Sequence, residues 1–220
     1  MDKEQYAYSV ESEQEPSAWP KRPWLDIWVK PRGTIRTIVE NDPARYVLIF
    51  AALAGIAQAL ERASSRDLGN NSPSLVALLA IVLIVGSIGG LVSIYITAAI
   101  FRWTGSLLGG RASSIEVRAA IAWSSIPIIF TLVFWVPQLA LYGVEMFTSV
   151  TPNIDNNPWP LLCLGLIQLV LYGWAFVILL KTVGEVHGFS AWRALIAVAL
   201  PTVTIVIVVF GCLLLTNIGG

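Results

Sequence analysis

Apolar residues in this chain are gathered into long blocks separated by short polar stretches, and the length of the blocks predicts helices that cross a membrane. Predominantly apolar runs occupy about 44–60, 74–101, 115–147, 159–181 and 191–216. A bilayer core of ~30 Å needs ~20 residues at ~1.5 Å each, so all five qualify and the first is the shortest. The pattern predicts an all-α polytopic bundle with five transmembrane helices. Asp42-Pro43 reads as a start signal for the first, a capping acceptor followed by proline at the first helical position. Glu61 and Arg62 are expected to stop it, and Ser72-Pro73 repeats the start signal for the second. Ser113 with Glu116 three positions on predicts a capping box opening the third helix. Pro127 and Pro137 inside that helix are expected to bend it. A polar loop over 148–158 and a short turn from Gly184 to Ser190 separate the last three spans.

Two segments precede the spans. Residues 1–20 are acidic and polar without a periodic apolar face, which predicts a disordered tail. In 21–41, Trp24, Trp28, Ile35, Ile38 and Val39 gather on one side while Lys21, Arg22, Lys30, Arg32 and Arg36 supply positive charge. Pro31 suits the first turn of a short amphipathic helix running to about Glu40. Tryptophan beside cations next to a span reads as a segment at the lipid interface, with Trp24, Trp28, Lys30, Arg32 and Arg36 meeting anionic headgroups. A docking surface for a cytosolic protein is the alternative. Residues 42–220 then form the membrane domain, with no linker long enough to hide a soluble one.

Composition agrees: 56% of residues are hydrophobic and 13% charged, against about a quarter charged in soluble domains. Mean hydropathy is +0.72. Net charge is zero, so nothing points to nucleic acid. Placement of charge matters more than its sum. With five spans, twelve of the 14 Lys and Arg fall on one side: in the N-terminal segment, the 102–118 loop and the 181–193 turn. The positive-inside rule then puts the N-terminus in the cytoplasm and the C-terminus outside. No cleavable signal sequence is evident, so the first span is expected to serve as an uncleaved insertion signal. A bacterial inner membrane is the first expectation for the compartment and an endomembrane the second.

Candidate chemistry is sparse. Glu145 falls in the last turns of the third helix, where interfacial capping or solvation competes with an ion or proton role. Gln58, Gln138 and Gln168 suit interhelical hydrogen bonds or the lining of a pore. Gly86, Gly90, Ser93 and Thr97 make a stripe of small residues that lets another helix approach closely, within the chain or in a homo-oligomer. His187, with Glu185 nearby, reads as a surface histidine; two ligands do not make a metal site. Cys163 and Cys212 are too few for a disulfide framework, although a pair near the outer ends of neighbouring spans is conceivable. The sequence has no GxSxG, HExxH, CxxC or phosphate-cradling loop, so no enzymatic activity and no cofactor are expected.

Three stretches carry a resemblance. The first is Trp28 to Pro31 with Thr34, Ile35 and Arg36. The second runs through Gly105, Gly109 and Gly110 to Ala119, Ala120, Ala122, Trp123 and Pro127. The third joins His187, Gly188, Phe189 and Ser190 to Trp192, Arg193, Ala194 and Pro201. With the predicted spans, these resemble the Yip1 domain family, and the chain looks like a prokaryotic member from about Trp24 to its end. The resemblance implies a non-enzymatic, multi-spanning membrane protein. Eukaryotic members are similar in topology and are implicated in vesicle traffic and Rab GTPase binding. The expectation is a scaffold or adaptor in membrane organisation, meeting lipid headgroups and a membrane or cytosolic protein partner. A small channel or transporter using the proline-broken third helix and Glu145 is the alternative.

Overall fold

The computed structural model describes residues 19–72, 74–201, 203 and 204. The acidic tail, apart from its last two residues, lies outside the described residues, as does the fifth span beyond Thr204. Among the described residues the only regular structure is helix. Two short helices, α1 (Pro23–Val29) and α2 (Pro31–Asn41), precede the bundle. The first pass is α3 (Val47–Ser65) and the second α4 (Leu75–Leu107). The third pass is jointed: α5 (Ser114–Ser124), α6 (Ile126–Phe130), α7 (Leu132–Tyr142) and a closing 3-10 turn, Gly143–Phe147. A single helical turn, α8 (Pro152–Asn156), leads to the fourth pass, α9 (Trp159–His187). Last comes the apolar helix α10 (Ala191–Pro201). Four of these passes are long and apolar enough to cross a membrane; α10 is shorter, and most of the expected fifth span lies outside the described residues.

Several boundaries differ from the sequence expectation. Asp42-Pro43 does not cap a helix. The Asp42 carboxylate accepts from the backbone N–H of Ala44 at 3.1 Å and closes a turn. The chain then enters α3 through Tyr46, held at φ 63°. Glu61 and Arg62 do not end α3, which continues to Ser65. Backbone hydrogen bonding is indifferent to the charge of a side chain that reaches back toward the interface. Likewise α4 runs on to Leu107 and α9 to His187, leaving only Gly188 to Ser190 as the final turn. The segment before the spans is two helices rather than one.

The capping box at the head of α5 forms: Ser113 N–H donates to Glu116 Oε2 at 2.6 Å and Glu116 N–H to Ser113 Oγ at 3.4 Å. The third pass is interrupted, and the interruptions have a more local cause than proline alone. Its joints fall at Ser125 and Thr131, and Pro137 sits inside α7 without interrupting it. The hydroxyls of Ser124, Ser125 and Thr131 donate back to the carbonyls of Ile121, Ala122 and Ile128 at 2.7, 2.6 and 2.7 Å. Such bonds compete with the helical ladder and bend it; Pro127, with no N–H, sits just after the first joint.

The tightest seam joins α3 to α4. A Cβ built on Gly55 would stand 2.6 Å from Gly90 Cα, and one on Gly86 2.9 Å from Ala59 Cβ. Neither pair of backbones has room for another carbon, so glycine sets the spacing. The largest buried cluster lies at the end of the bundle that carries α1 and α2, where Ile27, Ile35 and Ile38 meet Trp123, Ile178 and Val183. Most of the cations gather there, and we call it the basic end.

Candidate functional site

The three stretches that carry the resemblance are far apart in sequence and meet at the basic end. Trp123, fully buried in α5, is their hub. Rings of Phe50, Trp24, Trp19 and Tyr46 surround it at 5.0, 5.5, 6.3 and 6.3 Å between centroids. Tilted and edge-on pairs at such distances favour one another through their quadrupoles. The Arg45 guanidinium covers the outside of this cage, 4.5 Å from the Trp19 ring and 5.2 Å from that of Tyr46.

Helix α2 docks on the end of α9. Arg36 forms an ion pair with Glu185, its Nε 2.8 Å from Oε1. This pairing, the hydrogen bond first and the Coulomb attraction second, raises the Arg36 pKa above its already high ordinary value. Arg32 reaches the carbonyl of Phe189 at 3.5 Å. Trp28 packs edge-on against Phe130, and its carbonyl accepts from the indole of Trp174 at 3.2 Å. Arg32 and Arg36 therefore touch protein as well as the surroundings, whereas Lys30 makes no ion pair among the described residues. Outside the docked face, Trp24, Leu25, Val29 and Lys30 remain exposed.

His187 corrects the sequence reading. It is 4% exposed, stacked on Phe189 with ring planes 8° apart, and wedged beneath the Gly105–Gly110 turn. A Cβ on Gly110 would stand 2.8 Å from His187 Cγ, so glycine is required where the imidazole lies flat on backbone. Among the described residues neither ring nitrogen meets full hydrogen-bond geometry, with the Phe101 backbone as the polar group nearest in effect. Two hydroxyls tie the neighbouring helices: Thr104 donates to the Ala197 carbonyl at 2.8 Å and Thr182 to that of Ala120 at 3.2 Å. Gly188, at φ 75°, ends α9 in the left-handed conformation glycine adopts without strain. Pro31 and Pro127 are buried in this unit, Gly109 turns the loop at φ 84°, and Pro201 lies in α10. Trp192 is 77% exposed and points away from it.

Glu145 lies at the opposite end, in the 3-10 turn. Its carboxylate accepts from the N–H groups of Asn153 and Ile154 at 2.9 and 3.3 Å, and from Asn153 Nδ2 at 2.5 Å. It thereby caps α8. Of the three glutamines, Gln58 accepts from Arg62 at 3.3 Å, while Gln138 and Gln168 have buried amide nitrogens without partners among the described residues. Sequence reasoning missed Glu61, which is half-buried within α3 with Trp135 and Tyr172 as its electrostatic neighbours. Its position one turn after Gln58 on the same face was the available signal.

A cleft of about 680 Å³ opens between α3, α4, α5 and α9. Its walls are mainly apolar and small, with Gly86, Gly90, Ser93 and Thr97 along α4 and Tyr172 on α9; Arg62 and Arg66 stand at one end. Cys163 is an exposed free thiol, and Cys212 lies outside the described residues. Among the described residues no three His, Cys, Asp or Glu side chains converge. The arrangement at the basic end is one of packing and surface display: its histidine is enclosed and its aromatic residues are engaged with one another.

The sequence matches the family model described as Yip1 domain over residues 25–213, most of the chain. Neither a curated protein nor a solved structure matches it.

Proposed function

Because the chain belongs to the Yip1 domain family, we propose that this integral, multi-pass membrane protein is a scaffold or adaptor that works through the surface of its basic end. The observation that carries the reading is the convergence of the three patterned stretches on one packed unit around Trp123. Residues kept for a reaction would be expected at an accessible pocket. These are mostly enclosed, and what they present outward is aromatic and basic: Trp24, Lys30 and Arg32, with Trp192 and Arg193 beyond the final turn. A surface of that chemistry suits anionic headgroups and an acidic partner segment at the same level. On this reading the basic end faces the cytoplasm, in a bacterial inner membrane.

The test joins capture to transport. Full-length protein and a Lys30→Glu/Arg32→Glu variant are recovered from native membranes in mild detergent, and each is also reconstituted for solute and ion flux. Proteins that copurify with the wild type and are lost from the variant, without flux, support the scaffold. Flux that vanishes in Glu145→Gln overturns it. Cysteine-accessibility tags placed before Trp24 and in the 148–158 loop test the orientation: they should label from opposite sides, the first from the cytoplasm.

A further inference from the structure

We infer that the cleft between α3, α4 and α9 holds one acyl chain of an anionic phospholipid whose phosphate sits between Arg62 and Arg66. The arginine mouth lies away from the basic end, toward which the apolar part of the cleft extends; the inference is independent of the scaffold reading.

Three observations combine. The first is shape: at about 680 Å³ the cleft falls within the ~300–1,000 Å³ of sites that enclose a small ligand. The second is lining. Glycine and alanine from α3 and α4 leave a smooth apolar wall, and at Gly89 a Cβ would meet nothing within 4 Å, so the space in front of it is open. The hydroxyls of Ser124 and Ser125 that also line it donate back to carbonyls of their own helix, so a polar solute would find few partners on the wall, whereas a hydrocarbon chain needs none. The third is charge. Arg62 and Arg66 line one end of the cleft, at the C-terminal end of α3. Both are exposed, and neither forms an ion pair among the described residues; Arg62 is bonded only to the neutral Gln58. Glu61 and Asp67 flank the two arginines in the chain, and neither comes within ion-pair distance of them among the described residues. Two unneutralised guanidiniums at the mouth of an apolar slot complement a phosphate with a chain attached, and guanidinium geometry matches phosphate oxygens two at a time.

Native mass spectrometry of the full-length protein in mild detergent tests this, with phosphatidylglycerol or phosphatidylcholine added in turn. One phosphatidylglycerol should be retained, with phosphatidylcholine held at least about tenfold more weakly, because its choline cation neutralises the phosphate and opposes the two guanidiniums. Gly89→Leu puts a side chain into that open space and should abolish retention. Arg62→Gln/Arg66→Gln should hold the two lipids equally. No preference in the wild type, or a preference that survives in the double arginine variant, overturns the inference, even if Gly89→Leu fails to fold. So does full retention by a folded Gly89→Leu. Retention that appears only after truncation behind Thr204 would assign the cleft to the chain's own apolar terminal stretch.

Discussion

Gly105 and His187 share one volume: a Cβ on the glycine would stand 2.5 Å from the imidazole Nε2, with the ring enclosed on its other face by Phe189. The second pass and the end of the fourth are therefore keyed to each other by the absence of a methyl group.

Gly105→Ala should lower stability by ~1–3 kcal/mol, as overpacking of a tight core does, read as a reduced midpoint of thermal unfolding in detergent. The double variant Gly105→Ala/His187→Ala should lose less than the two single losses combined, because removing the ring makes room for the methyl. Strict additivity would mean that the two residues are not in contact.

The α3–α4 seam gives a paired test along one helix. Gly90→Ala sets a methyl against the backbone of Ala51 and Gly55, and should cost ~1–3 kcal/mol. Gly89→Ala, facing open space, should be neutral or gain up to ~1 kcal/mol, the usual helical preference for alanine. Equal effects at the two positions would contradict the seam.

The Arg36–Glu185 contact joins a 64% exposed side chain to one that is 14% exposed, so screening by salt matters more than proton concentration. The raised Arg36 pKa puts loss of its charge above even the usual arginine value, and its share of the pairing is present at every lower pH. Base up to the moderately alkaline range should therefore leave α2 docked, while high salt loosens it. Arg36→Glu should speed protease cleavage at the turn before α3, and adding Glu185→Arg should slow it again. Cleavage unchanged in Arg36→Glu would show that the apolar face of α2 suffices alone.

Glu145→Ala removes the acceptor for the Asn153 and Ile154 N–H groups. Hydrogen exchange at those two amides should rise by about tenfold or more, the scale of losing a charge-assisted bond. The unfolding midpoint should shift little, since α8 is peripheral to the bundle. Protection that stays intact would place the cap elsewhere.

The passes through the bilayer were legible because hydropathy over twenty residues is decided by solvent, and solvent acts on every residue alike. The capping box at Ser113 was legible for a related reason: it needs only four consecutive residues. What escaped the sequence needed a partner from elsewhere. Asp42-Pro43 matches a helix start, yet its carboxylate is taken by Ala44 and α3 begins only at Val47. His187 sits among residues that look like a surface turn, and only the bare backbone of Gly105 and Gly110, some eighty positions earlier, encloses it. The segment 21–41 shows its amphipathic character plainly. That Ile27, Ile35 and Ile38 turn inward against α5 and α9 rather than toward lipid depends on helices absent from any local window.

That inward docking sets a timetable for biogenesis. Ile35 and Ile38 are made early, but Trp123 belongs to the third pass and Ile178 and Val183 to the fourth. Until those passes emerge from the ribosome, the first pass, through Tyr46 and Phe50 against Trp24, is the one protein neighbour that α1 and α2 have, and the bilayer surface covers the rest of their greasy side. The newborn segment must rest there and reach its permanent berth only once the fourth pass arrives.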